Sequence, residues 1–287
     1  MPPAPSSPGV EDGIGDAFPL PAAHPTSGLA AGERVAGTRL RRTLSLAMRT
    51  KTSKAARPRA PLTVAQLLDE LERFYGPQQP SWPLDPYAFI VWWQCGYPPS
   101  DAACTRGWDR LRSEVGSELH ALLQTSTAKL ASLLKSGGLV PEVRALRLKQ
   151  IAKRVQEELG GDLLGALRAP LSEARRVLKK FPGIAEPGAD RILLFARIAP
   201  IAAVPSNCPH VLSRILHGRE QDTYRANYRD AQERIAAEVA ESFDARIRAY
   251  LLLKRHGQEL CKRTQPLCQS CPLRRACLFG AAQRAAP

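Results

Sequence analysis

The sequence predicts an all-α protein, and three observations carry that expectation. Apolar residues recur at helical spacing, as in Val64, Leu67, Leu68, Leu71, Phe74 and Tyr75. Recognisable start and stop residues bracket such runs. No segment sustains the two-residue alternation of a half-buried strand.

The 287 residues allow one large or two modest domains. The net charge is +14 and the pI about 9.9, a balance that suits a polyanionic partner. Residues 1–60 are rich in Pro, Ala, Ser and Gly and are expected to form a disordered basic tail. Residues 1–47 set four arginines against four acids, whereas 48–60 carry five basic residues and no acid. The remainder holds 32 basic against 23 acidic residues, so its own charge is basic. Met48 opens MRTKTSKAARPRA, which reads as a natural start, with the preceding segment an over-extension or a targeting peptide. Glu11, Asp12 and Asp16 count against targeting. No apolar run reaches the about 18 residues of a membrane span, and no membrane partner is expected.

Order is expected from Leu62. Thr63 and Gln66 form a capping-box pattern, and Gly76-Pro77 ends that helix. Asp85-Pro86 supplies an N-cap and a first-turn proline for a helix to about Cys95. Helices follow near 100–115, 126–135 and 142–159, with Gly137 and Gly160 as C-caps. An amphipathic helix then runs to Lys180, and Phe181-Pro182-Gly183-Ile184-Ala185 turns into a second helix from Pro187. That helix is apolar nearly all round (Ile192, Leu193, Leu194, Phe195, Ile198) and should be buried centrally. Two long helices are expected near 226–243 and 244–256.

The C-terminal stretch CKRTQPLCQSCPLRRAC places Cys261, Cys268, Cys271 and Cys277 at Cys-x6-Cys-x2-Cys-x5-Cys, four of the chain's seven cysteines. Disulfides fit poorly without a secretory leader. Tetrahedral zinc and an iron–sulfur cluster both take four thiolates, although structural zinc sites usually pair two short knuckles and only one is present.

These motifs, in this order, resemble the endonuclease III family of DNA glycosylases from about residue 62 to residue 277. The cysteine spacing is that family's, Pro182-Gly183-Ile184-Ala185 resembles its Leu-Pro-Gly-Val-Gly hairpin, and Cys208-Pro209-His210-Val211-Leu212-Ser213-Arg214 resembles its Asp-Thr-His-Ile-Phe-Arg segment. The resemblance implies a two-lobed helix–hairpin–helix glycosylase fold, with a barrel at 81–200 and a lobe of 61–80 with 201–287 holding a [4Fe–4S] cluster on the four cysteines. It implies that the hairpin of Pro182, Gly183, Ile184 and Ala185 binds DNA, with its backbone N–H groups, which Pro182 lacks, meeting a phosphate. It gives Gln94 the role of filling the gap left by a flipped base, and puts Lys262 and Arg263 on the phosphate backbone. Ala185 stands where the family has a second glycine, which would alter the anion site slightly.

The resemblance also locates departures. The family's Schiff-base lysine falls on Pro187, which has no nucleophile, so lyase chemistry is not expected. The family's catalytic aspartate falls on Cys208, read as the N-cap of a helix beginning at Pro209; a thiol there can be activated. Glu186 and Asp190 flank Pro187 as relocated carboxylates, although acids at a helix start also serve its dipole.

Two functions stand side by side: a base-excision glycosylase with its own set of catalytic groups, or an inactive DNA- or lesion-binding iron–sulfur protein. The expected partner is damaged double-stranded DNA, the expected state a monomer. The expected location is the bacterial cytoplasm at the nucleoid, or the nucleus or mitochondrion of a eukaryote.

Overall fold

The computed structural model describes residues 62–285, which belong to one compact unit. The tail expected at 1–60 lies outside the described residues. Among the described residues there are thirteen α-helices and no strand; Tyr97 and Gly138 form one isolated bridge. No described helix is long and apolar enough to cross a membrane.

The first two helices begin where their caps direct. In α1 (Val64–Tyr75) both halves of the Thr63/Gln66 capping box are formed, and Val64, Leu67, Leu68 and Leu71 are buried. Removing each such side chain from water contributes about 1.5–3 kcal/mol. Asp85 caps α2 (Pro86–Gln94) by accepting from the Ala88 N–H at 2.8 Å. Helices α3 (Asp101–Glu114), α5 (Thr127–Leu134) and α6 (Pro141–Glu158) match the expected positions. The short α4 (Leu119–Gln124) lies between α3 and α5, and the short α7 (Leu163–Ala166) follows α6.

Gly137 does not cap α5. It lies inside a one-turn 3-10 segment, and the positive φ that a capping glycine supplies belongs to Gly138, at 112°. Nor is Gly160 the cap residue of α6: Leu159 is, and Gly160 follows it with φ 60°. The buried Arg144 of α6 ties this region together. Its guanidinium donates to the carbonyls of Cys95 and Leu134 at 2.7 Å and of Gly138 and Leu139 at 2.9 Å. One side chain thus satisfies orphan acceptors at the ends of α2 and α5.

Helix α8 (Leu171–Lys179) leads through the hairpin into α9 (Glu186–Phe195). Ile192, Leu193, Leu194 and Phe195 are buried as expected, whereas Ile198 lies beyond the helix end and is only half-buried. Then come α10 (His210–His217), α11 (Tyr224–Glu238), α12 (Phe243–Glu259) and α13 (Leu278–Ala285). The turn at 239–242 ends α11 earlier than expected, and Ser242 caps α12 by accepting from the Ala245 N–H.

Two apolar cores result. One is built from α2 through α9 and includes Trp82, Trp92, Leu148, Leu193 and Phe195. The other joins α1, α10, α11 and α12 and reaches Leu273 and Cys277. Helix α12 serves both, offering Tyr250 and Leu251 to the first and Ala249, Leu252 and Leu253 to the second.

Candidate nucleic-acid interface

Gly183 makes the α8–α9 hairpin. Its φ of 76° is a left-handed conformation that glycine adopts without Cβ conflict, and an added Cβ would stand 3.1 Å from Gln94 Nε2. The Ile184 N–H closes the turn onto the Phe181 carbonyl at 3.2 Å. The N–H groups of Gly183 and Ala185 take no acceptor among the described residues. Glu186 and Pro187 open α9, so the free donors of the helix start point the same way. Ala185 is extended, with φ −93° and ψ −175°, a conformation open to any residue. The missing second glycine therefore costs nothing in backbone geometry.

The hairpin is clamped from three sides. Arg154 of α6 donates to the Lys180 carbonyl. Arg175 of α8 pairs with Asp190 of α9 at 2.8 Å. Gln94, 4% exposed, donates its amide to the Pro182 carbonyl at 2.6 Å. Without DNA, the Gln94 amide is turned inward and braces the hairpin, 88 residues away in sequence.

Behind the hairpin lies a pocket of about 260 Å³. Gly183, Ile184, Ala185, Pro187 and Gly188 form one wall; Phe89, Trp93, Arg191, Ser206 and Tyr224 complete it. None of its lining residues is acidic. The residues facing it across the hairpin were not foreseen from the sequence. A signal existed: Arg191 is the one cation in the run Arg191-Ile192-Leu193-Leu194-Phe195, and it is 5% exposed.

The carboxylates and thiol expected near the hairpin do not line this pocket. Asp190 is wholly buried, and its oxygens accept from Arg175, from Tyr228 at 2.9 Å and from Gln232 at 3.1 Å. It joins α8, α9 and α11 and has no face toward the pocket wall. Glu186 is exposed at the first turn of α9.

Cys208 departs furthest from expectation. Pro209, not Cys208, is the cap residue of α10, with helical φ −65° and ψ −20°. Cys208 lies one place earlier and is buried against Gly257, whose added Cβ would stand 2.3 Å from the Cys208 Cβ. Its Sγ approaches the Leu253 carbonyl at 3.7 Å. Burial pushes the thiol up to about 12, the reverse of an activated thiolate.

Helix α10 instead reads the loop after Cys261. His210 Nε2 meets the Cys261 carbonyl at 2.9 Å, and the buried Arg214 donates to the carbonyls of Lys262 and Arg263 at 2.8 Å each. Three consecutive carbonyls are thereby fixed, and the side chains of Lys262 and Arg263 are turned to solvent. Arg263 also lies 3.4 Å from Glu220.

Cys277 is buried and Cys261, Cys268 and Cys271 are half-buried. Burial pushes the Cys261 thiol up to about 11, and Cys277 and Cys268 lie near enough to raise it further. Cys271 is pushed up to about 12 by burial and also feels Cys277, Cys261 and Cys268. Its Sγ is 3.8 Å from His256 Nε2, whose Nδ1 is held by the Tyr75 hydroxyl at 3.1 Å. The Gly280 N–H donates to the Cys277 sulfur at 3.4 Å. Among the described residues no three His, Cys, Asp or Glu side chains converge on one metal ion. A tetrahedral ion with bonds of about 2.3 Å requires thiolates roughly 4 Å apart. A four-iron cluster gives each thiolate its own iron, so its ligands stand further apart. Four neighbouring thiols, three half-buried and one buried, with N–H and imidazole groups beside the sulfurs, fit the donor chemistry of such a cluster.

No protein-family model matches the chain. No curated protein matches its sequence. Solved structures do resemble it. A trapped covalent intermediate of endonuclease III with DNA aligns with TM-score 0.62 at 20% identity, over 78% of this chain and 99% of that one. A non-covalent endonuclease III–DNA complex gives 0.62 at 20%, over 78% and 100%. A thermostable thymine-DNA glycosylase gives 0.60 at 18%, over 76% and 97%. At this identity the likeness establishes the fold: it is the endonuclease III-like helix–hairpin–helix glycosylase fold.

Proposed function

We propose that the chain is a base-excision DNA repair protein that binds damaged duplex DNA as a monomer and releases a base by hydrolysis, without lyase chemistry. The observation that carries this reading is the continuity of two features. The open N–H groups of Gly183 and Ala185 suit a phosphate. The pocket directly behind them suits one extruded base, with a wall of aromatic side chains to stack on it. Lys262 and Arg263 add basic side chains on a loop whose backbone is pinned, and Pro187 at the pocket wall leaves no amine for a Schiff base.

Cys261, Cys268, Cys271 and Cys277 would hold a [4Fe–4S] cluster as part of the same reading. When bound, the cluster supplies a rigid end to its lobe. The chain's own contribution there is the fixing of the Cys261–Arg263 backbone by His210 and Arg214. The two-lobed division, 81–200 against 61–80 with 201–287, belongs to this proposal, with DNA in the cleft. The compartment follows the partner: the bacterial nucleoid, or a eukaryotic nucleus or mitochondrion.

One observation favours the second reading, a binding protein that does not cut: the pocket has no acidic residue to stabilise a cationic sugar. The deciding experiment incubates the full chain with duplexes that each carry one damaged base, measuring free base and duplex affinity together. Release of any base supports the glycosylase. Tight lesion-selective binding without release supports the second reading. No affinity for any duplex at low salt overturns both.

A further inference from the structure

Arg191 is a buried cation that pairs with no carboxylate among the described residues. Its Nε and Nη2 are shielded from solvent and have no hydrogen-bond partner among the described residues. The nearby carboxylates serve other cations: Asp190 pairs with Arg175, and Asp101 pairs with Lys254. What surrounds the guanidinium is aromatic. Its central carbon lies 3.8 Å from the Trp82 ring centre and 4.7 Å from that of Phe89. Ring faces attract the charge but give its N–H groups no in-plane acceptor. Arginine does not shed its proton to escape this cost.

Arg191 forms part of the pocket wall, beside Phe89, Trp93 and Tyr224, and its two unpartnered nitrogens lie covered behind that wall, where a ligand has to uncover them to meet them. Flat apolar walls select a planar ring, and a planar donor fork selects adjacent acceptors on its edge. At about 260 Å³ the space suits one such ring. Nothing in the lining would compensate a second positive charge.

Resting on the glycosylase reading above, we propose that Arg191 is the base-reading and leaving-group residue of this pocket: it accepts neutral bases that carry a carbonyl on the inserted edge and refuses cationic N-alkylated bases. The bond between C1′ and the base nitrogen breaks, and its electron pair stays on the base. Negative charge then spreads onto the carbonyl oxygen facing the guanidinium, which remains protonated. Water adds to C1′ and releases one proton, which neutralises the departing base. The products are an abasic sugar and the free base. With no carboxylate at the wall to support the sugar cation, the one fixed charge of the pocket acts on the other side of the breaking bond.

The test uses the full chain, Arg191→Met and Arg191→Lys, with folding checked by circular dichroism. Base release is measured on duplexes holding one uracil or one 7-methylguanine. Quenching of tryptophan fluorescence by free uracil and by free 7-methylguanine nucleoside gives a second readout, since Trp93 lines the pocket. The parent protein is expected to release uracil, or to be quenched by it, and to ignore the methylated purine. Arg191→Met should lose about a hundredfold in release or in uracil affinity, and Arg191→Lys, with a charge but no fork, about tenfold. Affinity for undamaged duplex should stay within about twofold for both variants, because it rests on phosphate contacts. Equal handling of the two bases overturns the proposal. So does a folded Lys or Met variant with parental activity or quenching, or a parent protein that neither releases uracil nor responds to it. Loss of all duplex binding by the parent protein would instead strike the glycosylase reading.

Discussion

Gln94 donates its side-chain amide to the Pro182 carbonyl at 2.6 Å, tying the end of α2 to the tip of the hairpin across 88 residues of sequence. Gln94 is buried and the bond part-buried, so its loss leaves a half-shielded carbonyl without its donor. Gln94→Ala is expected to destabilise the fold by about 1–3 kcal/mol, read from the midpoint of urea unfolding. Duplex affinity should fall too, since the hairpin N–H groups lose their brace. Unchanged stability would return Gln94 to the outward-facing role first expected of it.

Asp190 separates a structural carboxylate from a catalytic one. It accepts from Arg175, Tyr228 and Gln232 with no exposure to solvent. Asp190→Asn keeps the shape but leaves a half-buried guanidinium unpaired. The expected result is a stability loss of about 1–3 kcal/mol, because charge-assisted hydrogen bonds are weakened while the partly exposed guanidinium can still meet water. A variant of parental stability whose turnover alone falls would make Asp190 a catalytic group after all.

The cysteines can be tested directly by metal content. Anaerobically purified protein is expected to be brown, with about four irons per chain. Cys261→Ser or Cys277→Ser should lower the iron and loosen the end of the lobe. Stoichiometric zinc without iron would contradict the assignment.

Duplex binding should weaken steeply with salt, by about 0.9 in log affinity per log salt for each phosphate neutralised. Lys262→Ala and Arg263→Ala should each lower that slope by about one and weaken all sequences alike. The loop itself should survive, because Arg214 holds its carbonyls and not its side chains. Removing residues 1–60 should reduce affinity without abolishing it, since the remainder keeps 32 basic against 23 acidic residues. A truncated protein that ignores duplex at low salt would contradict the placement of the interface.

No covalent complex with abasic DNA should be trapped by borohydride from the natural sequence, as Pro187 supplies no amine. Pro187→Lys places an amine at the pocket wall and is expected to yield a trapped complex if the wall faces C1′. Pairing it with Cys208→Asp is expected to reduce yield of folded protein, because residue 208 is packed against Gly257 and the carboxylate would be buried. A strong trapped complex from the natural sequence would mean that a lysine reaches C1′ from elsewhere.

The parts of this fold that were legible in the sequence are those decided locally. The caps at Thr63 and Asp85, the left-handed Gly183 and the apolar run after Arg191 need only their neighbours to be read. The short α4 and α7 escaped because one or two turns show no period. Cys208 was misplaced by one residue because a proline in helical conformation can cap a helix as well as open it. The inward turn of Gln94 and Asp190 was hidden for another reason: their partners lie on distant segments, and polarity alone cannot say which way a side chain faces. Arg191 was readable as a cation in an apolar stretch, but its aromatic surroundings come from two distant parts of the chain, around Trp82 and Phe89 and at Tyr250.

Arg144 has a consequence that reaches beyond its own helix. Its guanidinium grips the Cys95 carbonyl, and the preceding residue is Gln94, which holds the hairpin. The posture of the hairpin tip is therefore inherited from a side chain that never approaches it. Gly137 belongs to the same inheritance, since an added Cβ would stand 1.8 Å from the Cys95 oxygen and 3.0 Å from Arg144 Nη1. Neither position can drift alone: a change at one unseats a carbonyl that the other was shaped around, and the disturbance travels to the hairpin tip. Divergent copies of this gene should exchange residues 144 and 137 together or not at all, whatever happens to the surface between them.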